Sequence, residues 1–96
     1  MKPREDLQAI IGGVCYQVKG STLLAHDEHW NWHRPEREGR KTFLYRNQQG
    51  YFWVNMTLGG EQDIEPLEEE EAYAVYTALP EHEVPVEKAF PNIEPL

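Results

Sequence analysis

Residues 41–57, KTFLYRNQQGYFWVNMT, constrain the fold more than any other stretch. Aromatic and β-branched residues, which suit a pleated and half-buried surface, stand on both sides of a glycine-containing turn, QQG. The pattern predicts a β-hairpin with strands KTFLYRN and YFWVNMT. Alternation then sends Tyr51, Trp53 and Asn55 to one side of the second strand and Phe52, Val54 and Met56 to the other. Both sides are largely apolar, so something must cover each of them.

The flanking segments supply candidates for that cover. VCYQV and TLLAHDEHW read as two extended runs about the turn KGS, where Gly20 can take the positive φ of a tight turn, and so predict another hairpin. Upstream, PREDLQAII places Pro3 and early acids where a helix start favours them, with Leu7, Ile10 and Ile11 at helical spacing and Gly12-Gly13 as a stop. A short N-terminal helix is expected there. Downstream, LGGEQD breaks the pattern, and IEPLEEEEAYAVYTALPE predicts a helix near 67–79 that begins after Pro66. Its apolar stripe is Ala72, Val75, Tyr76 and Leu79, and Pro80 ends it.

The expected fold class is therefore α+β. A small antiparallel β-meander of about four strands is flanked by the N-terminal helix and the 67–79 helix. This single domain occupies residues 1–80, and 81–96 form an extended, proline-containing C-terminal tail. One such helix covers one sheet face. Tyr51, Trp53 and either Phe43 or Tyr45 are then left for the chain's own termini, for a second copy in a homodimer, or for another protein.

YQVKGSTLLA, KTFLYRNQQGYFWV and IEPLEEEEAYAVY, in that order within residues 16–80, resemble a set of short uncharacterised bacterial proteins often carried on mobile elements. The shared features are a tyrosine opening a short strand, a Leu-Tyr-Arg strand, a glycine turn into a Tyr-Phe strand, and an Ile-x-Pro-Leu helix entry followed by Glu-Ala. The resemblance implies a compact β-meander with a helix and no assigned activity. This chain departs from the pattern in placing Glu68 where a serine or threonine cap follows Pro-Leu.

Charge is distributed unevenly. Residues 1–58 hold eight Lys and Arg against six Asp and Glu, whereas 59–96 hold Lys88 alone against eleven acids. A chain of this sign is repelled by phosphate backbones and attracted to basic surfaces, so a basic protein surface is the expected partner and free nucleic acid is not. Four glutamates, Glu68, Glu69, Glu70 and Glu71, open the predicted helix, where its dipole favours them. They follow Glu61, Asp63 and Glu65, and together these seven exceed what capping requires. Closely spaced carboxylates can imitate nucleic-acid phosphates and occupy an Arg/Lys-rich groove on an enzyme. The chain accordingly reads as a non-enzymatic acidic protein-binding module, a regulator or inhibitor of the DNA-mimic type that phages and mobile elements direct against defence nucleases, anti-CRISPR proteins among them. Trp30, Trp32, Tyr51 and Trp53 are its candidate aromatic anchors.

Residues 26–41, HDEHWNWHRPEREGRK, suggest two alternatives. His26, His29 and His33 would line one side of a helix and make an open zinc site, as in a metal-dependent enzyme or sensor. The segment continues a TLLA strand, however. In extended form His26 faces away from the other two, which lie about 13 Å apart at about 3.3 Å per residue. No metal or other cofactor is expected. Trp30 and Trp32 with Arg34, Arg37, Arg40 and Lys41 could instead stack and track a single-stranded nucleic acid, but Glu36 and Glu38 dilute that patch.

Catalytic signatures are missing from the sequence. It holds neither a glycine-rich phosphate loop nor a GxSxG elbow, and Cys15 has no histidine at a motif spacing. That single cysteine excludes an internal disulfide framework and fits a reducing compartment. No apolar run approaches the roughly 20 residues of a membrane helix, and MKPREDLQ is too polar to open a secretion signal. A cytoplasmic location away from membranes is the expectation.

Overall fold

The computed structural model describes residues 3–27, 41–57 and 59–92. Its centre is the hairpin of 41–57. Strand β4 (Lys41–Asn47) pairs antiparallel with β5 (Gly50–Met56) around the two-residue turn Gln48-Gln49. The Asn47 side-chain oxygen accepts the backbone N–H groups of Gln49 and Gly50 at 2.8 and 3.1 Å, the kind of local bond that makes asparagine a turn former. The register sets Leu44 beside Trp53 and Arg46 beside Tyr51 on one face, with Phe43 beside Val54 and Tyr45 beside Phe52 on the other.

Beyond the hairpin the sheet extends in both directions. Strand β3 (Thr22–His26) joins β4, β6 (Gln62–Leu67) joins β5, and the two-residue β7 (Glu81–His82) joins β3, giving the order β6-β5-β4-β3-β7. A bulge between Leu23 and Ala25 lets consecutive side chains Leu24 and Ala25 both pack into the core. With the turn closing on Asn47 and Gly50 as a hydrogen-bonded pair, alternation directs the N–H groups of Tyr51, Trp53 and Asn55 toward β6. Pro66, opposite Phe52, then falls at a position whose nitrogen points outward. A proline with no N–H to donate is tolerated there, on an edge strand.

The first face is covered by the C-terminal third of the chain. Helix α1 (Glu69–Ala78) lays Ala72 and Tyr76 onto the sheet with Leu79 just beyond, and Val75 packs beside them. The short helix α2 (Val86–Ala89) brings Ala89 and Phe90 into the same cluster with Leu24, Leu44 and Tyr51. Helix α1 starts at 69 rather than 67, because QDIEPL forms strand β6. The residue before a proline is held extended, and here that is Glu65. Glu68 serves as the N-cap, and the Glu71 carboxylate turns back to accept the Glu68 N–H at 3.0 Å, one arm of a capping box. The missing serine or threonine is thus replaced by a glutamate pair.

The second face corrects two expectations. Residues 3–11 do not form a helix: β1 (Gln8–Ile11) turns through Gly12-Gly13 and pairs with β2 (Val14–Gln17) as a separate two-stranded sheet. Both glycines have positive φ, 60° and 80°, which a two-residue hairpin turn demands. The apparent helical stripe is not one, since Leu7 is buried while Ile10 is 74% exposed. It follows that VCYQ pairs with QAII, not with TLLAH. Leu7, Tyr16, Val18 and Leu23 cover Phe43, Tyr45, Phe52, Val54 and Met56, with Tyr16 tilted against Phe52 at 5.8 Å.

The α+β class holds, with seven strands and two helices among the described residues in place of the four-stranded meander and its N-terminal helix. Among those residues no helix is long and apolar enough to cross a membrane.

Candidate functional site

The acidic residues run from the loop before β6, along that strand, into the first turn of α1. On edge strand β6, Asp63 stands opposite Asn55 and Glu65 opposite Trp53, on the face that α1 also occupies. Glu61 closes the preceding loop, donating its N–H to Thr57 Oγ1 at 3.2 Å and accepting the Thr57 N–H at 3.0 Å. Glu68 is the hinge residue between strand and helix, and Glu69, Glu70 and Glu71 form the first helical turn.

These carboxylates differ in what they do. Glu71 closes the cap, and Glu65 accepts the Trp53 indole N–H at 3.0 Å. Glu69, half-buried, lies near enough to Tyr51 to oppose ionisation of its phenol. Glu61, Asp63 and Glu70 are exposed. Four of these seven acids, Glu65, Glu68, Glu69 and Glu71, are thus bound up in the fold's own contacts.

Of the aromatic candidates, Trp53 is half-buried beside this run, its ring packed against the core and its N–H fixed by Glu65. Tyr51 leaves the candidate surface. It is 8% exposed, stacked under Phe90 at 5.0 Å, and its hydroxyl donates to the Ala89 carbonyl at 2.9 Å. Arg46 donates to the Lys88 and Ala89 carbonyls at 2.9 and 3.0 Å beside it. Burial first, and Glu69 in lesser degree, push the Tyr51 phenol above its ordinary value, against the pull of Arg46. Tyr76, which donates to the Val84 carbonyl at 2.8 Å, is likewise raised, first by burial and then by Glu87.

Trp30, Trp32, His29, His33, Arg34, Arg37 and Arg40 lie outside the described residues, so the metal and single-strand alternatives rest there on sequence alone. His26 is described and buried. Its Nδ1 lies 3.3 Å from Glu81 Oε2 and its Nε2 3.7 Å from Glu83 Oε1, and its ring stacks on Phe43. Among the described residues, no three His, Cys, Asp or Glu side chains are grouped to hold a metal ion.

One polar cluster escaped the sequence reading. Asp27, 1% exposed, accepts the Thr42 N–H on Oδ1 at 2.7 Å, and its carbonyl accepts from Lys41 Nζ at 3.2 Å. The Asp27 N–H donates to the Thr42 carbonyl at 3.3 Å, and Thr42 Oγ1 donates to Asn55 Oδ1 at 2.8 Å. This joint ties the end of β3 to the start of β4. Charged side chains are usually read as solvated, and no spacing marked these as buried.

Two open depressions of about 330 and about 350 Å³ flank the Lys19–Ser21 turn. The first lies between Cys15, Gln17 and the Asn47–Gln49 turn, and the second between Pro3, Val18, Leu23 and Tyr45. Neither is lined by the acidic run. No family model matches the chain, and neither a curated protein nor a solved structure is similar to it.

Proposed function

We propose that this chain is a non-enzymatic acidic protein-binding module, a regulator or inhibitor that engages the basic, nucleic-acid-binding surface of a partner protein. The observation that carries this reading is the acidic run along edge strand β6 and into α1. Glu61 and Asp63 at the start of β6 and Glu70 at the start of α1 are exposed, and the half-buried Trp53 is bonded to Glu65 between them, on the half of the chain that holds eleven acids and one lysine. Carboxylates fixed on a strand edge and a helix start keep their spacing, as a surface imitating phosphates requires, and Trp53 adds an aromatic anchor at the edge of the patch. Pro66 removes one outward N–H from this edge, which disfavours strand addition and favours recognition through side chains. Mobile-element origin and an anti-defence role, as with anti-CRISPR proteins, are consistent extensions of the same reading.

The test is capture from a host lysate at low salt with the chain immobilised. Glu61→Lys, Asp63→Lys and Glu70→Lys are combined, because none of these three carboxylates caps the helix or holds Trp53. The reading expects a basic protein to be retained by the native chain, released by salt, and lost in the triple variant. Equal capture by the variant would contradict it.

A further inference from the structure

We propose that the outer edge of β1 pairs with β1 of a second copy of this chain, joining the two N-terminal hairpins into one four-stranded sheet. The hairpin fixes which backbone groups are on offer. Its two-residue turn closes on Ile11 and Val14, so alternation makes Ile11/Val14, Ala9/Tyr16 and Leu7/Val18 the hydrogen-bonded pairs, and the Val18 N–H donating to the Leu7 carbonyl at 3.1 Å keeps that phase. The N–H and C=O groups of Gln8 and Ile10 therefore point away from β2. No strand among the described residues pairs with them there.

The other sheet edges are guarded and this one is not. Edge strand β6 carries Asp63, Glu65 and Pro66, and β7 is two residues long, devices that discourage strand addition. On the outer edge of β2, the Gln17 carbonyl is taken by Ser21 Oγ at 2.5 Å. Strand β1 has no proline, bulge or charge. Ile10 and Ile11 on it are the large apolar side chains left exposed among the described residues.

Charge selects a second copy as the occupant. Two chains that each carry a net charge of −8 repel one another over most of their surfaces, but Leu7 to Val18 holds no charged residue, so the hairpins can meet without like charges opposed. In a twofold antiparallel pairing Gln8 stands opposite Ile10 of the second copy and Ala9 lies on the axis, which satisfies the outward groups of both residues. Asp63 and Glu65 lie on the opposite face of β6 from Ile64, which packs with Leu7 and Tyr16, so the pairing is independent of the acidic run. An interface this small makes a weak dimer.

Sedimentation equilibrium on the full chain, in reductant so that Cys15 cannot cross-link, reads the association. Between about 10 µM and about 1 mM the weight-average mass is expected to climb from one chain toward two. Ile10→Lys charges an exposed edge position and should weaken the association at least about tenfold, whereas Gln48→Lys, which alters the net charge equally in the exposed β4–β5 turn, should leave it unchanged. A second variant tests the axis. Two Ala9 Cα atoms facing each other at about 4.5 Å are within disulfide reach, so oxidation should link Ala9→Cys/Cys15→Ser chains and not Thr77→Cys/Cys15→Ser chains. A chain monomeric throughout, which would leave the edge to a strand of another protein, overturns the proposal. So does an Ile10→Lys variant that associates like the native chain, or linkage through Thr77→Cys as ready as through Ala9→Cys.

Discussion

Tyr51 and Phe90 stack with ring centroids 5.0 Å apart and an interplanar angle of 15°, so the C-terminal segment covers the sheet face that the central hairpin leaves apolar. Phe90→Ala should therefore behave as a core truncation and cost about 3–5 kcal/mol. Tyr51→Phe should cost only about 1 kcal/mol, because the Ala89 carbonyl keeps its bond from Arg46. Urea denaturation of both variants measures the difference. Equal losses would show that the hydroxyl, not the ring pair, holds the segment.

Alkaline pH should loosen the same face. Folding raises the Tyr51 and Tyr76 phenols above their ordinary value of about 10, so the folded chain holds these protons more tightly than the unfolded chain. That contribution is fully present below pH of about 10 and is lost as pH climbs through the folded-state values. Unfolding free energy should fall as pH rises above about 10, and fall less steeply in Tyr76→Phe. The same slope in that variant would remove Tyr76 as a cause.

The Asp27 joint predicts a graded response. Asp27→Ala removes the carboxylate acceptor of the buried Thr42 N–H and should cost about 1–3 kcal/mol, whereas Asp27→Asn retains an acceptor oxygen and should cost less. Thermal or chemical melts rank the two. If both cost the same, the carboxylate's charge and not its acceptor role is what the site uses.

The turn of the N-terminal hairpin should resist substitution for backbone reasons alone. A Cβ at Gly12 or Gly13 would meet no atom within 4 Å, yet both residues have positive φ. Alanine at either should cost about 1–2 kcal/mol, and alanine at Gly59, which lacks that φ and makes only an ordinary 3.7 Å contact, should cost far less. Comparable stability of all three variants would argue against the hairpin.

What could be read in the sequence and what could not follows from which forces act locally. The 41–57 hairpin is legible because its alternation and its glycine-containing turn agree. Helix α1 was legible because Ala72, Tyr76 and Leu79 share one stripe. Residues 3–11 were misread because Leu7, Ile10 and Ile11 fit a helix and Gly12-Gly13 serves equally as a helix stop or a hairpin turn. The choice is made by packing against Tyr45 and Phe52, which no local spacing reveals. Strand β6 was read as helix entry because Pro66 suits a first helical turn as well as a sheet edge. Among the candidate site residues, the acids were visible as charge. The commitment of Glu65 to Trp53 and of Glu71 to the cap depends on long-range register and on helix geometry, and so emerged only in three dimensions.

The most direct test of the acidic run is competition. A basic partner recovered by the immobilised chain would be loaded with its nucleic acid, and the chain titrated in at low salt. The account predicts that the native chain displaces the nucleic acid and that Glu61→Lys, Asp63→Lys, Glu70→Lys does not. Simultaneous binding of both, or displacement by the triple variant as effective as by the native chain, would contradict it.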